Sequence, residues 1–162
     1  MMERKALEKL APEIRRRYTE TLGPKLVALA FFGSWARGEA DEGSDVDVLL
    51  IARHLPRDPF ERNRVSYEPL SGLKGEGRIS VLARTEEEFS ADVTPLHLDL
   101  AEDARIIHDP QDFLTVKLQR VRELIEEAGL ERRHGESGWW WWWKGPPPRP
   151  DCWSLTWEGF KS

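Results

Sequence analysis

The sequence predicts an α/β (α+β) fold, in which a small mixed β-sheet is flanked by helices. Apolar runs of strand length lie at 25–32 and 46–52, and a third lies at 78–83. Segments whose apolar residues have helical spacing stand on either side of this region, at 3–22 and 113–128. A chain that orders its elements as helix, strand, strand, helix, strand and further helices buries its strands in one sheet and covers that sheet with helices.

Boundary signals separate these elements along the chain. Gly23-Pro24 ends the first helix, and the segment 60–70, which follows two prolines, is expected to be helical. Thr85 opens a capping box for a short helix after the third strand. Another helix is expected to start at Thr94-Pro95 and to continue to about Ile107, because proline favours the first helical turn.

The long helix over 113–128 has the clearest pattern. Asp112 is expected to cap its start, and Gly129 is expected to terminate it. Its apolar stripe consists of Leu114, Leu118, Val121, Leu124, Ile125 and Ala128.

The segment between the first two strands carries the chemistry. The first strand ends in Gly33-Ser34, and ten residues later Asp45-Val46-Asp47 opens the second strand. Because side chains alternate along a strand, Asp45 and Asp47 leave the same face, roughly 7 Å apart. Like charges held side by side repel each other, and a fold that keeps them usually places a cation between them.

Gly33 and Ser34 suit the binding of a phosphate group. Glycine lets the backbone approach a ligand closely, and Ser34 is expected to cap a short helix through Ala36-Arg37. Free N–H groups at a helix start, together with a serine hydroxyl, form a seat for phosphate. Arg37 adds positive charge there.

This pattern of Gly-Ser, ten residues and Asp-x-Asp between two strands resembles the nucleotidyltransferase fold of the DNA polymerase β superfamily. It is most similar to the small stand-alone members, the minimal nucleotidyltransferases, and the likeness extends loosely through Asp109. The alternative is an ordinary strand, turn and strand whose acids face water. The residues that carry the resemblance are Gly33, Ser34, Arg37, Gly38, Ser44, Asp45 and Asp47.

The resemblance implies a metal-dependent enzyme that transfers a nucleoside monophosphate from an NTP, with ATP expected, to an acceptor. Asp45 and Asp47 would be the catalytic carboxylates and the ligands of Mg²⁺ or Mn²⁺. The nucleotide-binding residues would be Gly33, Ser34, Arg37 and Ser44. Relatives of this type often work with a small helical partner of the HEPN type, as antitoxins that in some cases adenylylate that partner.

One family feature is missing. A complete site has a third carboxylate on a neighbouring strand, but the matching strand here reads Ile79-Ser80-Val81. A neutral hydroxyl is a poor metal ligand and a poor base. Slow turnover with retained nucleotide binding is therefore expected. Asp99, which lies between two leucines, is expected to have a structural or surface role.

Composition limits the other possibilities. The chain has 162 residues, which suffice for one domain with a core. Its net charge of −5 implies no general affinity for nucleic acid. Its single cysteine, Cys152, excludes an internal disulfide and a multi-cysteine zinc site. No apolar run approaches the length of a membrane span, and the charged N-terminus is no signal region, so a cytoplasmic protein is expected.

The C-terminal segment differs in character. Residues 1–130 are expected to form the nucleotidyltransferase domain, and 131–162 a Trp/Pro-rich extension packed on that domain or within a homodimer. Five consecutive tryptophans at 139–143 precede three prolines at 146–148, which forbid a helix there. Two short strands around the proline-containing connection are expected.

Three functions remain open from the sequence. The first is the enzyme described above. The second is a nucleotide-binding regulatory protein, or an antitoxin partner of a HEPN-type protein, with impaired catalysis. The third is a protein that binds single-stranded nucleic acid, with the bases stacked on the tryptophans beside Arg132 and Arg133. The same tryptophans could instead dock a partner protein.

Overall fold

The computed structural model describes residues 2–162, and it divides the chain into two compact units. The first unit comprises the residues up to Ala91 together with Asp103–Thr115. The second unit comprises Asp92–Glu102 and Val116–Ser162. No helix in the described part of the chain is long and apolar enough to cross a membrane.

The first unit contains the predicted mixed sheet, which confirms the expected fold class. The sheet has the strand order β3-β2-β1-β4, in which β1 is antiparallel to β2 and β4, and β3 is parallel to β2. The helices and strands that begin in this unit are α1 (Met2–Leu22), β1 (Leu26–Phe32), α2 (Gly33–Arg37), β2 (Val46–Ala52), α3 (Pro59–Tyr67), β3 (Ile79–Arg84), α4 (Glu86–Ala91), β4 (Arg105–His108) and α6 (Phe113–Ala128). The helix α5 (Pro95–Asp103) precedes β4 in the chain.

The core of the first unit forms between α1 and the two central strands. One face of α1 is apolar and fully buried at Ile14 and Tyr18, as its stripe predicted. The central strands β1 and β2 are covered by neighbours on both faces, and Val48 to Ala52 are completely inaccessible to solvent. Tyr18 places its hydroxyl inside this core and donates a hydrogen bond of 2.7 Å to the carbonyl of Ser66.

Two sequence predictions in the following region are wrong. The helix that starts at Pro95 ends at Asp103 rather than at Ile107, because the β-branched pair Ile106-Ile107 lies in a strand paired with β1. The long helix is capped by Asp109 rather than by Asp112. The Asp109 carboxylate accepts hydrogen bonds from the backbone N–H groups of Leu114 and Thr115, at 3.2 and 2.7 Å.

The C-terminal segment forms two separate hairpins, β5 (Leu130–Gly135) with β6 (Gly138–Trp143), and β7 (Ser154–Thr156) with β8 (Gly159–Lys161). Strands β6 and β7 lie on either side of the prolines, as expected, but each pairs with a strand on its own side of them rather than with the other. A two-residue turn between Gly135 and Gly138 allows β5 to pair with β6, since Gly138 adopts a φ of +101°.

Candidate functional site

The site is built where β1 ends and β2 begins. Asp47 lies opposite Phe32 in the antiparallel pair of these strands, directly beside the start of α2. Gly33 has a φ of +72°, and a Cβ placed on it would overlap the Asp47 carboxylate, with 3.1 Å left to Asp47 Cγ. The glycine predicted from the sequence is thus required by the close approach of the Asp47 carboxylate to the α2 backbone.

The two carboxylates of the Asp-x-Asp motif have different surroundings. Asp45 is exposed, whereas Asp47 is partly buried. Burial raises the pKa of Asp47 above its ordinary value of 3.8, and the negative charge of Asp45 raises that pKa further, while Arg37 opposes both effects. The charge of Asp45 therefore acts on Asp47, as the spacing of the two acids predicted.

Ser80 occupies the position expected for the third carboxylate. In the parallel pair of β2 and β3, Ser80 is the register partner of Asp47. Register partners on neighbouring strands point to the same face and lie about 4.8 Å apart along the hydrogen-bonding direction. Asp47 and Ser80 are thus neighbours on the sheet, with a hydroxyl where the resemblance implies a carboxylate.

The helix α2 differs from the prediction in its first turn. It begins at Gly33, with Phe32 as the capping residue and no side-chain capping bond, so Ser34 lies inside the turn and does not cap it. The Ser34 carbonyl accepts a hydrogen bond of 2.9 Å from the Glu39 N–H, and this bond closes the C-terminus of the helix. The helix is only five residues long because Gly38 enters the left-handed region with a φ of +75°.

Arg37 is held in place by an acid that the sequence did not reveal. Its Nη1 atom lies 3.2 Å from Oδ2 of Asp103, whose side chain is only 5% exposed, and its Nε atom lies 3.4 Å from Glu39. Asp103 is 66 residues further along the chain, so no local pattern could identify it. The guanidinium remains close enough to Asp47 to affect its pKa.

Ser44 uses its side chain inside the loop. Its hydroxyl accepts a hydrogen bond from the Asp41 N–H at 3.0 Å and donates one to the Asp41 carboxylate at 3.1 Å. This arrangement stabilises the turn that leads into Asp45. The assignment of Ser44 to the nucleotide stays a prediction.

The donor set fits a divalent metal ion with a partial protein shell. Among the described residues, no group of three or more histidine, cysteine, aspartate or glutamate side chains is placed to hold a metal. Asp45 and Asp47 remain as candidate metal ligands, because carboxylate oxygens are the ligands that Mg²⁺ and Mn²⁺ prefer. Mg²⁺ commonly binds through one or two carboxylates and completes its shell with water and substrate phosphates.

The second unit contains the tryptophans for which the sequence suggested the binding of nucleic acid. On one face of β6, Trp141 and Trp143 pack against a cluster that includes Leu98 and Val121. The indole N–H of Trp141 donates a hydrogen bond of 2.8 Å to Asp99, so the expected structural role of this acid is confirmed.

On the opposite face of β6, the rings of Trp140 and Trp142 are 44% and 46% exposed. The neighbouring cation on this face, Arg133, is paired with Glu131 at 2.7 Å, which reduces the positive charge available to a phosphate backbone.

Comparison with known proteins places this geometry in a family context. The family model described as nucleotidyltransferase domain matches residues 7–131. A provisionally assigned protein adenylyltransferase of Methanocaldococcus jannaschii, MJ1305, is 28% identical over 128 residues, covering 77% of this chain and 87% of the relative. A second protein of that organism with the same assignment, MJ0141, is 43% identical over 44 residues, covering 27% of this chain and 44% of its own length.

A solved structure shares the fold. A chain of a toxin–antitoxin structure with AMP-PNP superposes with a TM-score of 0.50 at 18% identity, covering 72% of this chain and 90% of its own. At this identity, the likeness shows the common fold and no more.

Proposed function

This chain belongs to the family of nucleotidyltransferase domains, as its motif predicted, and on this premise we propose that it transfers AMP from ATP to a protein acceptor. The observation that carries the proposal is the carboxylate pair, Asp45 and Asp47, next to a glycine that permits no side chain. The protein acceptor is inferred from the provisional assignment of the relative from Methanocaldococcus jannaschii.

The proposed reaction is a substitution at the α-phosphorus of ATP. The acceptor hydroxyl oxygen forms a bond to this phosphorus, while the bond from the phosphorus to the oxygen that bridges the α- and β-phosphates breaks. Pyrophosphate leaves, and the hydroxyl proton passes to water, because Ser80 offers no base of suitable pKa. Such chemistry depends on positioning and charge neutralisation.

The residues of the motif divide this work among them. Asp45 and Asp47 would hold Mg²⁺ or Mn²⁺, which supplies positive charge to the triphosphate when bound. The backbone of Gly33 and Ser34 would contact phosphate, and Arg37, fixed by Asp103, would contribute positive charge beside them.

A nucleotide-binding protein with impaired catalysis is the second candidate, and Ser80 is the observation that favours it. With a hydroxyl beside Asp47, position 80 would offer neither a carboxylate ligand to a metal ion nor a base to the acceptor. In either case we propose a HEPN-type partner protein, as the family resemblance implies. The fold shared with a toxin–antitoxin structure is consistent with this pairing.

Labelled ATP tests whether the chain transfers a nucleotide to a protein. The purified chain is incubated with Mg²⁺ and a HEPN-type protein, using ATP labelled at either the α- or the γ-phosphate. Nucleotidyl transfer predicts protein-bound label from α-labelled ATP only, and none from a variant with Asp45→Asn and Asp47→Asn. Label from γ-labelled ATP would indicate a kinase and contradict the proposal.

The role of position 80 is tested in the same assay. We expect Ser80→Asp to raise the rate of transfer by on the order of 10²-fold, because it restores a general base and a metal ligand. Ser90→Asp, which lies at a partly buried position of α4, serves as the charge-matched control. A fast wild-type enzyme that Ser80→Asp does not accelerate would show that the third carboxylate is not needed.

A further inference from the structure

The loop that carries Asp45 contains a compact turn. The carboxylate of Asp41 accepts hydrogen bonds from the Gly43 N–H at 2.9 Å and from the Ser44 hydroxyl at 3.1 Å. The Asp41 carbonyl accepts a further bond of 3.1 Å from the Ser44 N–H. These bonds close the turn on itself, so the orientation of Asp45 depends on what holds the turn to the rest of the first unit.

Two side chains hold this turn, and both do so at the carbonyl of Ser44, the residue before Asp45. The indole N–H of Trp35, in α2, donates a hydrogen bond of 3.1 Å to this carbonyl. The guanidinium of Arg78, directly before β3, reaches the same carbonyl at 3.4 Å and also donates to the carbonyl of Glu42. The turn is thereby joined to the two elements that carry Gly33 and Ser80.

Packing alone cannot fix the turn, because it borders an open cleft of about 920 Å³. Asp45 is itself exposed, whereas Asp47 is partly buried, lies within the β2 ladder and approaches Gly33 closely. The second carboxylate is thus fixed, and the first is free to move unless the turn is held. The two anchoring side chains, Trp35 and Arg78, and the turn residues Asp41 and Ser44 all line this cleft.

We propose that Trp35 and Arg78 are positioning residues that set the spacing of Asp45 from Asp47 by holding the Ser44 carbonyl. The proposal rests on the proposed function, since the spacing of the two carboxylates determines how well they share one divalent ion. Neither residue would touch the nucleotide or the metal ion in this role. They would act by keeping the first carboxylate from moving over the cleft.

Conservative variants test this role through metal binding in the absence of nucleotide. Trp35→Phe keeps an aromatic ring but loses the N–H donor, and Arg78→Lys loses the guanidinium Nη2 atom that reaches both carbonyls. We expect each variant to weaken Mn²⁺ binding roughly fivefold, as the loss of one hydrogen bond implies. Trp140→Phe and Arg133→Lys, on the exposed face of the β5–β6 hairpin, serve as controls and should leave the affinity unchanged.

The melting temperature and backbone dynamics complete the test. A merely structural role would lower the melting temperature and leave the Mn²⁺ affinity of the folded protein unchanged, and that result would overturn the proposal. If the wild-type chain binds no Mn²⁺, the proposed function fails, and the nitrogen-15 order parameter of the Asp45 amide then decides the question. A lower order parameter in Trp35→Phe supports the positioning role, whereas an unchanged one refutes it.

Discussion

At the scale of single residues, the site is defined by a contact and a charge. Gly33 admits the carboxylate of Asp47 because it has no Cβ, and Asp47 then lies partly buried beside a second acid. A carboxylate in such a place is destabilised in its charged form. A divalent cation bound between the two acids, as we propose, would relieve that repulsion.

The raised pKa of Asp47 has a predictable effect on stability in the absence of metal. Its pKa is higher in the folded chain than in the unfolded chain, so the folded state binds more protons above pH 3.8. Stability from this group is therefore present below that pH and is lost as the pH rises through the folded pKa. As the pH rises from 3.8 to 7, we therefore expect the melting temperature of Asp47→Asn to rise relative to that of the wild-type chain.

The same measurement on Asp45→Asn provides the control. Removing the neighbouring charge should lower the pKa of Asp47 and reduce the pH dependence without abolishing it. A melting-temperature difference between wild type and Asp47→Asn that does not vary with pH would contradict this account of the site.

Gly33→Ala tests the close approach. The substitution should destabilise the first unit by more than the roughly 1 kcal/mol that a positive φ costs a residue with a side chain, because the new Cβ overlaps the Asp47 carboxylate. Gly72→Ala is the matched control, since Gly72 has a φ of +81° and nothing within 4 Å of its Cβ position. Equal losses of unfolding free energy in the two variants would show that the overlap is relieved without cost.

At the scale of elements, both edges of the four-stranded sheet are covered by side chains. On β3, the Val81 N–H bonds to the hydroxyl of Tyr67 at 2.8 Å, and the Ala83 carbonyl accepts from Arg84 at 2.8 Å. On β4, Arg15 donates to the Ile107 carbonyl at 3.3 Å. Side chains bonded to the outer strands in this way discourage further strand pairing at the edges of the sheet.

The elements also show what the sequence could predict. The strands β1 and β2 and their motif were predictable because their apolar periods and turn residues are local. The strand β4 was missed, since Ile106-Ile107 also continues the apolar pattern of α5, and only pairing with β1 decides its form. The cap by Asp109 and the fixation of Arg37 by Asp103 depend on chain reversals that no local pattern encodes.

The tryptophan strand contains a matched pair of residues for a stability test. Trp141→Phe should lower the unfolding free energy by about 1–3 kcal/mol, because it removes the hydrogen bond to Asp99 and leaves that acid with one partner fewer. Trp142→Phe, on the exposed face of the same strand, should cost less than about 0.5 kcal/mol. Chemical denaturation measures both, and equal losses would show that Asp99 does not contribute through this bond.

At the scale of the whole molecule, the candidate site belongs to one unit of the chain. The residues that surround it come from three distant segments, the motif from Gly33 to Asp47, the start of β3 at Ser80, and Asp103. The tryptophan strand lies in the other unit, together with α5 up to Glu102 and most of α6. The sequence predicts the motif loop and the strand that carries Ser80, but it does not predict how they come together, because that follows from the pairing of strands across the chain.

The central claim is that Asp45 and Asp47 bind a divalent ion that in turn holds a nucleoside triphosphate. Calorimetric titration of ATP in Mg²⁺ and in EDTA tests this most directly, because it requires no knowledge of the acceptor. We predict clearly tighter binding in Mg²⁺ for the wild-type chain, and no such difference for a folded variant with Asp45→Asn and Asp47→Asn. Equal affinity of the wild-type chain for ATP with and without the metal ion would contradict the account.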